Sequence, residues 1–290
     1  MNTEEKMHLT NEKMLHIHEL VTGENSEKPG NKKIKEPVTV GVDLGTSSIV
    51  LIVADADLNP IFAASKDADV VKDGLVVKYS EAVKIVRELK EKAEEALGIT
   101  LTEASGAIPP GTIGNNRNAV GHVIEAADME VVDIIDEPEA AAKAMNVTDG
   151  AVVDIGGGTT GISIFKKGKM VFSADEPTGG TQMTLVLSGA LGIPISEGET
   201  RKRDEALKNQ NFQIIRPVVE KMATITANFI KEYGKKVENV YLVGGATNFD
   251  EFEEVFSKIV SANILKPDFP EYVTPLGIAL SNKSLLSEVC

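Results

Sequence analysis

Short apolar runs with the length of β-strands alternate with longer segments of helical periodicity along most of the chain. The helical segments repeat an apolar residue every three or four positions, which is the spacing of one helix face. In one of them Ser80 is placed to cap the start and Gly98 to end it. The alternation predicts an α/β fold. The predicted strands are 38–43, 49–54, 61–64, 102–108, 131–135, the two arms of 151–165, and 239–243; the predicted helices are 80–98, 115–127, 139–145, 182–190, 214–233, 252–260 and 274–281.

Residues 1–36 have a different character from the rest of the chain. Met7, Met14, Ile17 and Val21 recur near one face of a helix, and a polar stretch with glycine and proline follows them, as in a linker. We expect an extension that is disordered or loosely docked on the body. The alternative is a short amphipathic helix that docks on a partner protein. The histidines of this segment have no accompanying pattern of acids or cysteines that would indicate a metal site.

Two segments repeat one order of residues: an apolar run, an aspartate, a glycine turn, hydroxyl side chains and a second apolar run. They read VTVGVDLGTSSIVLIV at 38–53 and AVVDIGGGTTGISIF at 151–165. Such a repeat suggests two similar halves that present the same groups to a shared cleft. The groups are Asp43, Gly45, Thr46, Ser47 and Ser48 in the first segment, and Asp154, Gly156, Gly157, Gly158, Thr159 and Thr160 in the second.

These residue types suit a nucleotide phosphate with its metal ion. Glycine lets backbone N–H groups approach a phosphate without a Cβ in the way, and hydroxyl groups add donors. Mg²⁺ keeps most of its waters, so a carboxylate holds it through them. We predict that Asp43 and Asp154 hold the metal while the two hairpins clamp the phosphates. The alternative for the glycine run is a tight hairpin without a ligand. The sequence contains no P-loop motif and no G-x-G-x-x-G that opens a helix.

Charge and cysteine content narrow the classes of partner and compartment. With 44 acidic and 30 basic residues the net charge is −14, which argues against nucleic acid or an anionic membrane as the main partner. The single cysteine, Cys290, cannot form an internal disulfide, and no segment has the length and apolarity of a membrane span. We therefore expect a cytoplasmic protein.

Five short motifs follow one another in an order that is typical of a known superfamily. They are DLGTSS, DEPEAAA, DIGGGTTG, LVGGATN and TPLGIAL. Their order resembles the actin-like ATPases, which include Hsp70, actin, bacterial filament proteins and sugar kinases. Within this superfamily the chain is most similar to the Hsp70-like proteins of ethanolamine utilisation operons. The resemblance implies a two-lobed, duplicated ribonuclease H-like α/β fold with a trimmed lobe II. It also implies an extension and linker at 1–36, lobe I at 37–150 with 274–290 returning to it, and lobe II at 151–273.

The resemblance further implies roles for individual residues around ATP or ADP and Mg²⁺. Asp43 and Asp154 would hold Mg²⁺ through waters, and Glu137 would lie near the attacking water. The pair Glu137–Pro138 is, in the alternative, only the start of a helix. The residues implied to be catalytic are Asp43, Glu137, Asp154 and Thr159. Those implied to bind the nucleotide are Gly45, Thr46, Ser47, Ser48, Gly156, Gly157, Gly158, Thr160, Gly179, Gly180, Glu199, Arg203, Gly244, Gly245 and Ala246.

The function that the resemblance implies is that of a nucleotide-driven chaperone, or of a reactivating or assembly factor for ethanolamine ammonia-lyase or for microcompartment shell proteins. Its place would be the cytoplasm, in association with the microcompartment. The phosphate-facing lysine of Hsp70 has only Lys66 and Lys72 as candidate equivalents, so we expect ATP hydrolysis to be slow or absent. Two other classes stay open: an actin-like structural or assembly scaffold, and a small-molecule kinase on the same fold.

Overall fold

Two five-stranded sheets with the same internal order form the framework of the protein. In the computed structural model, which describes residues 2–24, 34–72, 75–112 and 115–281, twelve strands and nine helices follow one another along the described chain. The strands are β1 (Thr39–Leu44), β2 (Ser48–Ala54), β3 (Pro60–Asp67), β4 (Val71–Lys72), β5 (Leu75–Val76), β6 (Glu103–Ile108), β7 (Glu130–Asp136), β8 (Gly150–Ile155), β9 (Thr160–Lys166), β10 (Lys169–Glu176), β11 (Asn239–Val243) and β12 (Asn263–Leu265). The helices are α1 (Thr3–Thr22), α2 (Tyr79–Leu97), α3 (Asn115–Ala126), α4 (Glu137–Ala144), α5 (Gly180–Leu191), α6 (Ile195–Arg203), α7 (Lys208–Tyr233), α8 (Phe252–Ile259) and α9 (Val273–Ala279).

The strand orders show that the fold is duplicated. The first sheet runs β3-β2-β1-β6-β7 and the second runs β10-β9-β8-β11-β12. In each sheet three antiparallel strands are followed by two parallel ones. Asp43 and Asp154 occupy the same place, one residue before the end of the first strand, opposite Val50 and Gly161. The predicted two-lobed α/β fold is therefore confirmed. The sequence pattern repeated at 38–53 and 151–165 corresponds to a repeated sheet.

Apolar side chains pack in three layers around the two sheets. Helices α2 and α3 cover the outer face of the first sheet, with Leu89 and Ile124 in that core. Helices α7 and α8 cover the outer face of the second sheet, with Phe212 and Phe256. A third cluster lies between the sheets and holds residues from both. Because each sheet is buried on both faces, strands such as β2 read as nearly continuous apolar runs in the sequence.

Some predicted boundaries are wrong for identifiable reasons. Helix α2 begins at Tyr79 and no side chain caps it, so Ser80 is not the cap. Helix α7 begins at Lys208, six residues before the predicted start at 214, because buried Asn211 and Phe212 extend its packed face. Strand β10 was not predicted; it is an edge strand whose side chains are mostly exposed, so it lacks a clear apolar pattern.

The expectation of a disordered or loosely docked N-terminal extension is wrong for helix α1. Its start is capped by Asn2, whose side chain accepts from the backbone of Glu5 while the Glu5 side chain accepts in return. Met14 and Ile17 are fully buried in the cluster between the sheets. The apolar face that was assigned to a partner protein in the alternative is thus occupied by the protein's own body. The predicted linker includes 25–33, which lies outside the described residues.

Helix α9 lies against the first sheet and helix α4. Its glycine, Gly277, lets the two helices touch: a Cβ at this position would lie 1.8 Å from the carbonyl oxygen of Ala140. Gly41 of β1 approaches the backbone of Ala279 in the same way, where a Cβ would lie 2.4 Å from the amide nitrogen. The chain thereby returns from the second sheet to the first. The part of the predicted returning segment beyond residue 281 lies outside the described residues.

No helix in the described part of the chain has both the length and the apolar content that crossing a membrane requires.

We expect Gly277→Ala to lower the free energy of unfolding by about 3 kcal/mol, because the added methyl group meets rigid backbone and forces α4 and α9 apart. The matched control is Gly189→Ala in helix α5, where a Cβ would meet nothing within 4 Å. There the free energy of unfolding should rise by about 0.5–1 kcal/mol, because alanine favours a helix over glycine. Urea denaturation measures both, and equal effects of the two changes would refute the close helix contact.

Candidate functional site

A cavity of about 380 Å³ lies where the ends of the first strands of the two sheets face each other. The turn after β1 and the turn after β8 are in contact there. A Cβ on Gly157 would lie 2.6 Å from the hydroxyl of Ser47 and 3.0 Å from the Cβ of Thr46. The absence of a side chain on Gly157 therefore lets the two hairpins approach each other closely at the cavity. Ligands of open α/β sheets commonly bind at such strand ends.

Most of the residues predicted for the site line this cavity. They come from both hairpins, from the start of α4 and of α5, from α6 and from the turn after β11. The predicted residues on the cavity wall are Asp43, Gly45, Thr46, Ser47, Ser48, Glu137, Asp154, Gly156, Gly157, Gly158, Thr159, Gly180, Glu199, Arg203, Gly244, Gly245 and Ala246.

The structure does not bring Thr160 or Gly179 to the cavity wall. The hydroxyl of Thr160 is fully buried and donates to the carbonyl of Thr178 at 2.6 Å. It therefore stabilises the hairpin from outside the cavity wall. Gly179 backs the glycine turn, since a Cβ there would lie 2.7 Å from the carbonyl oxygen of Gly156. Both residues support the turn rather than face the cavity.

Acidic side chains converge at the base of the cavity. Burial raises the pKa of Asp43 to about 7, and the neighbouring Asp154 raises it further in the same direction. Burial also raises the pKa of Asp154 to about 6, while a hydrogen bond from Thr274 opposes this shift. The pKa of Glu137 lies well above its ordinary value because it is buried and because Asp154 and Asp43 are close to it. The carboxyl groups repel one another and favour a cation or protons between them.

Asp175 belongs to the same acidic cluster and was not predicted. It lies on β10, and burial raises its pKa to about 6, with Asp154 contributing and a hydrogen bond from Thr159 opposing. Because β10 carried no strand signal, nothing in the sequence placed this carboxyl group near the cavity.

The donor set fits a hard divalent cation held through water. Carboxylate oxygens are the ligands that Mg²⁺ takes, and it usually keeps several of its own waters. Asp43 and Asp154 stand on the cavity wall, where burial raises the pKa of both. Across 2–24, 34–72, 75–112 and 115–281, no three His, Cys, Asp or Glu side chains are placed to bind a metal directly.

Gly244 closes the side of the cavity next to Asp154. Its φ of +90° lies in the region that favours glycine, and a Cβ would lie 2.4 Å from Oδ1 of Asp154. The turn can therefore pass directly over the carboxyl group. Gly245 and Ala246 continue the wall from this point.

Helix α6 presents a charged face to the cavity. Lys202 Nζ donates to the Glu199 carboxylate at 2.7 Å, to Thr184 at 2.9 Å and to the carbonyl of Gly180 at 3.1 Å. Glu199 also accepts from Arg203 Nε at 2.8 Å. Burial lowers the pKa of Lys202, and Glu199 opposes that shift. Lys202 was not predicted as a site residue, although the helical spacing from Glu199 places both on one face.

The two lysines considered as phosphate-facing candidates do not line the cavity. Lys66 is exposed on β3 and pairs with Glu88 of α2, and Lys72 is exposed on β4. The lysines on the cavity wall in the described residues are Lys202 and Lys208. The sequence did not indicate that Lys202 and Lys208, and not the two candidates, would line the cavity. Helices α6 and α7 reach the cavity only through the packing of the second sheet.

An ion pair joins strand β3 of the first sheet to helix α6 at the mouth of the cavity. Arg203 Nη1 lies 2.9 Å from Oδ1 of Asp67 at the end of β3, and both residues line the cavity. Their side chains are 42% and 82% exposed, so the pair contributes little stability but spans the opening. Asp67 was not predicted, because nothing in the sequence sets it apart from other surface acids.

Comparison with known proteins identifies the family. The Ethanolamine utilization protein EutJ of Salmonella typhimurium (strain LT2) is 39% identical over 249 residues, which are 86% of this chain and 87% of the relative. The chain belongs to the EutJ family. A crystal structure of EutJ from Carboxydothermus hydrogenoformans matches with 46% identity and a TM-score of 0.86, covering 94% of this chain and 98% of that chain.

More distant matches place the EutJ family within the actin-like ATPases. The family model of the Hsp70 protein matches residues 76–184, and that of the cell division protein FtsA matches 151–277. The structure of MreB 5 of Spiroplasma citri bound to AMPPNP has a TM-score of 0.68 at 13% identity, covering 88% of this chain and 98% of that chain. At that identity the likeness shows the fold alone. The resemblance read from the five motifs is thus confirmed.

We expect the acidic cluster to make the nucleotide-free protein less stable as pH rises. The pKa of Asp43 is raised from 3.8 to about 7 by folding, so the folded state holds a proton that the unfolded chain releases. The stabilisation that this proton gives the folded state is complete below about pH 4 and is lost as pH rises through 7. With EDTA present, Asp43→Asn should raise the melting temperature by about 3 °C or more at pH 8 and by little at pH 4.

The control for this pH series is Asp149→Asn. Asp149 is exposed and pairs with Lys166 at 2.7 Å, and that lysine lowers its pKa. Its removal should bring no gain in melting temperature at pH 8. Differential scanning calorimetry from pH 4 to pH 8 makes the comparison, and a gain for Asp43→Asn that does not grow with pH would contradict the charge repulsion.

Proposed function

We propose that the protein binds ATP and ADP with Mg²⁺ in the cavity between its two sheets and acts as a nucleotide-dependent, Hsp70-like chaperone or assembly factor in ethanolamine utilisation. The observation that carries the proposal is the meeting of two equivalent glycine turns, each with an aspartate at its base, across one cavity. Membership of the EutJ family and the match of the Hsp70 model support it. Turnover of ATP would be slow.

Each group of residues has a distinct task in this proposal. The turns of 45–48 and 156–159 offer backbone N–H groups and hydroxyls to phosphate oxygens. Asp43 and Asp154 hold the hydrated cation, and Thr274 fixes the orientation of the Asp154 carboxyl by donating to its Oδ2. A bound Mg²⁺ would supply positive charge that offsets the acidic cluster and the phosphates.

Glu137 is the proposed group that receives a proton from water. It stands at the start of α4 on the cavity wall, and burial with neighbouring carboxylates raises its pKa. A base with a raised pKa accepts a proton near neutral pH. A cation held by Asp43 and Asp154 would supply positive charge that lowers the affinity of Glu137 for a proton.

The nucleoside is proposed to lie between α6 and the turn after β11. Glu199 and Arg203 face this end of the cavity from one side, and Gly244 and Gly245 from the other. The buried Lys202 brings a positive charge to the same wall. Carboxylate, ammonium and guanidinium groups together suit the hydroxyls of a ribose and the edge of a base.

The protein partner is proposed from the family. The relatives are named for ethanolamine utilization, and Hsp70 proteins act on other proteins. We infer that closure of the two sheets around a nucleotide changes an outer surface that acts on ethanolamine ammonia-lyase, or on shell proteins of its microcompartment. Domain or lobe closure around a ligand is a common way to couple a site to a surface.

We expect isothermal titration of ATP and ADP with Mg²⁺ to show binding by the parent protein that falls about tenfold or more in Asp43→Asn and in Asp154→Asn. The loss follows because each change removes one of two carboxylates that hold the cation. Phosphate release in the same samples measures turnover. Asp149→Asn, on an exposed surface away from the cavity, should bind like the parent. Absence of binding by the parent would refute the proposed site.

We expect Asp67→Ala to speed the release of bound nucleotide by about two- to fivefold, because the ion pair with Arg203 no longer closes the mouth of the cavity. Stopped-flow displacement of a fluorescent ADP analogue measures the rate. The difference from the parent should shrink at high salt, since the pair is exposed and screened. Asp149→Ala removes an exposed ion pair elsewhere and should leave the rate unchanged; an equal effect there would contradict the role of the pair.

A further inference from the structure

Helix α1 contacts both halves of the molecule. A ring nitrogen of His16 lies 3.1 Å from the carbonyl oxygen of Pro60 at the start of β3. The side chain of Asn11 accepts from the backbone amide of Asp268, which follows β12, at 3.1 Å. The apolar face of α1 is buried between these points in a cluster that includes residues of both sheets. The helix therefore bridges the two sheets.

The second half of α1 holds a turn in an unusual conformation. The ring of His18 stacks on Phe269 with ring centroids 4.0 Å apart and an angle of 15° between planes. Phe269 has φ of 46° and ψ of 56°, the left-handed region that bulky residues rarely adopt. Such a conformation persists only where surrounding structure holds it. The stacked imidazole of His18 is one of the groups that holds it.

The same turn forms part of the cavity wall. Phe269 is followed by a 3₁₀ turn, Pro270–Tyr272, and the carbonyl of its first residue accepts from the amide of Gly244 at 3.0 Å. Glu271 and Tyr272 line the cavity beside Gly244 and Gly245. A path of direct contacts thus runs from His18 through Phe269 and the 3₁₀ turn to the glycine turn after β11.

Two buried polar atoms along this path lack partners. Oε2 of Glu271 and Nδ1 of His18 have no hydrogen-bond partner among the described residues. The Glu271 carboxyl is largely buried, which raises its pKa, and His18 acts on it in the opposite direction. Buried polar atoms without partners are uncommon in folded proteins, so each calls for a reason. A wall that must adapt to a ligand is such a reason.

We propose that His18 is a positioning residue for the nucleotide cavity: its stacking on Phe269 holds the 3₁₀ turn, and through it Gly244 and Glu271, in the arrangement that receives the ligand. The inference rests on the proposed nucleotide binding. Coupling between two sites is reciprocal, so a bound nucleotide must also strengthen the docking of α1 on the 3₁₀ turn. The stability of α1 docking on the 3₁₀ turn therefore depends on whether the cavity holds a nucleotide.

The test compares three substitutions on the same helix by isothermal titration of ADP with Mg²⁺. His18→Ala removes the stacked ring and should weaken binding about fivefold or more, a magnitude typical of coupled sites. His18→Phe keeps an aromatic ring on Phe269 and should restore affinity to near that of the parent. His8→Ala, whose side chain is 73% exposed and pairs only with Glu12 among the described residues, is the matched control and should bind like the parent.

Hydrogen exchange supplies the reciprocal measurement. Saturating ADP should slow the exchange of α1 amides in the parent and in His18→Phe, and should slow it less in His18→Ala. The inference would be overturned, with nucleotide binding intact, by any of three results. They are an affinity of His18→Ala equal to that of the parent, a loss of affinity in His18→Phe as large as in His18→Ala, or hydrogen exchange of α1 that does not change when ADP binds. If the parent binds no nucleotide, the proposed function falls and the coupling falls with it. If His18→Ala detaches α1 from the body altogether, the affinity of His18→Phe for ADP still decides whether an aromatic ring on Phe269 supports binding.

Discussion

The repulsion among carboxyl groups at the base of the cavity is the constraint on which the site depends. Asp43, Glu137 and Asp154 are held close together where two sheets and a helix start meet. Burial raises the pKa of each, and neighbouring carboxylates raise those of Asp43 and Glu137 further. Such a cluster is stable only with protons or a cation among its members. The acidic base therefore favours a ligand that arrives with a divalent ion.

The glycine turns make the cavity compatible with that cluster. Gly157 lacks the Cβ that would meet Ser47, and Gly244 lacks the one that would meet Asp154. A Cβ at either place would overlap these atoms and force them apart. The two glycines therefore allow the close approach of the two turns and of the Asp154 carboxyl group at the wall of the cavity. The protein thus builds its cavity from the two equivalent ends of a duplicated sheet.

The elements that close the cavity come from distant parts of the chain and tie the halves together. Helix α9 returns to the first sheet through the close contact of Gly277 with α4. Helix α1 packs against residues of both sheets, and the pair of Asp67 with Arg203 links β3 to helix α6 beside the cavity. These three contacts connect the two halves of the described chain.

The sequence by itself determined the α/β class and the two equivalent hairpins, because glycine turns after apolar strands carry local signals that do not depend on their neighbours. The other residues predicted for the cavity came from the resemblance of the five motifs to a known superfamily. Only the tertiary structure decided the positions of Asp175, Lys202 and Asp67, since long-range packing of α6 and β3 brings Lys202 and Asp67 to the cavity and pairing of β10 brings Asp175 close to Asp154. The docking of α1 on the body also could not be predicted from the sequence. An amphipathic face shows that a helix buries one side, but only the folded body shows what covers it.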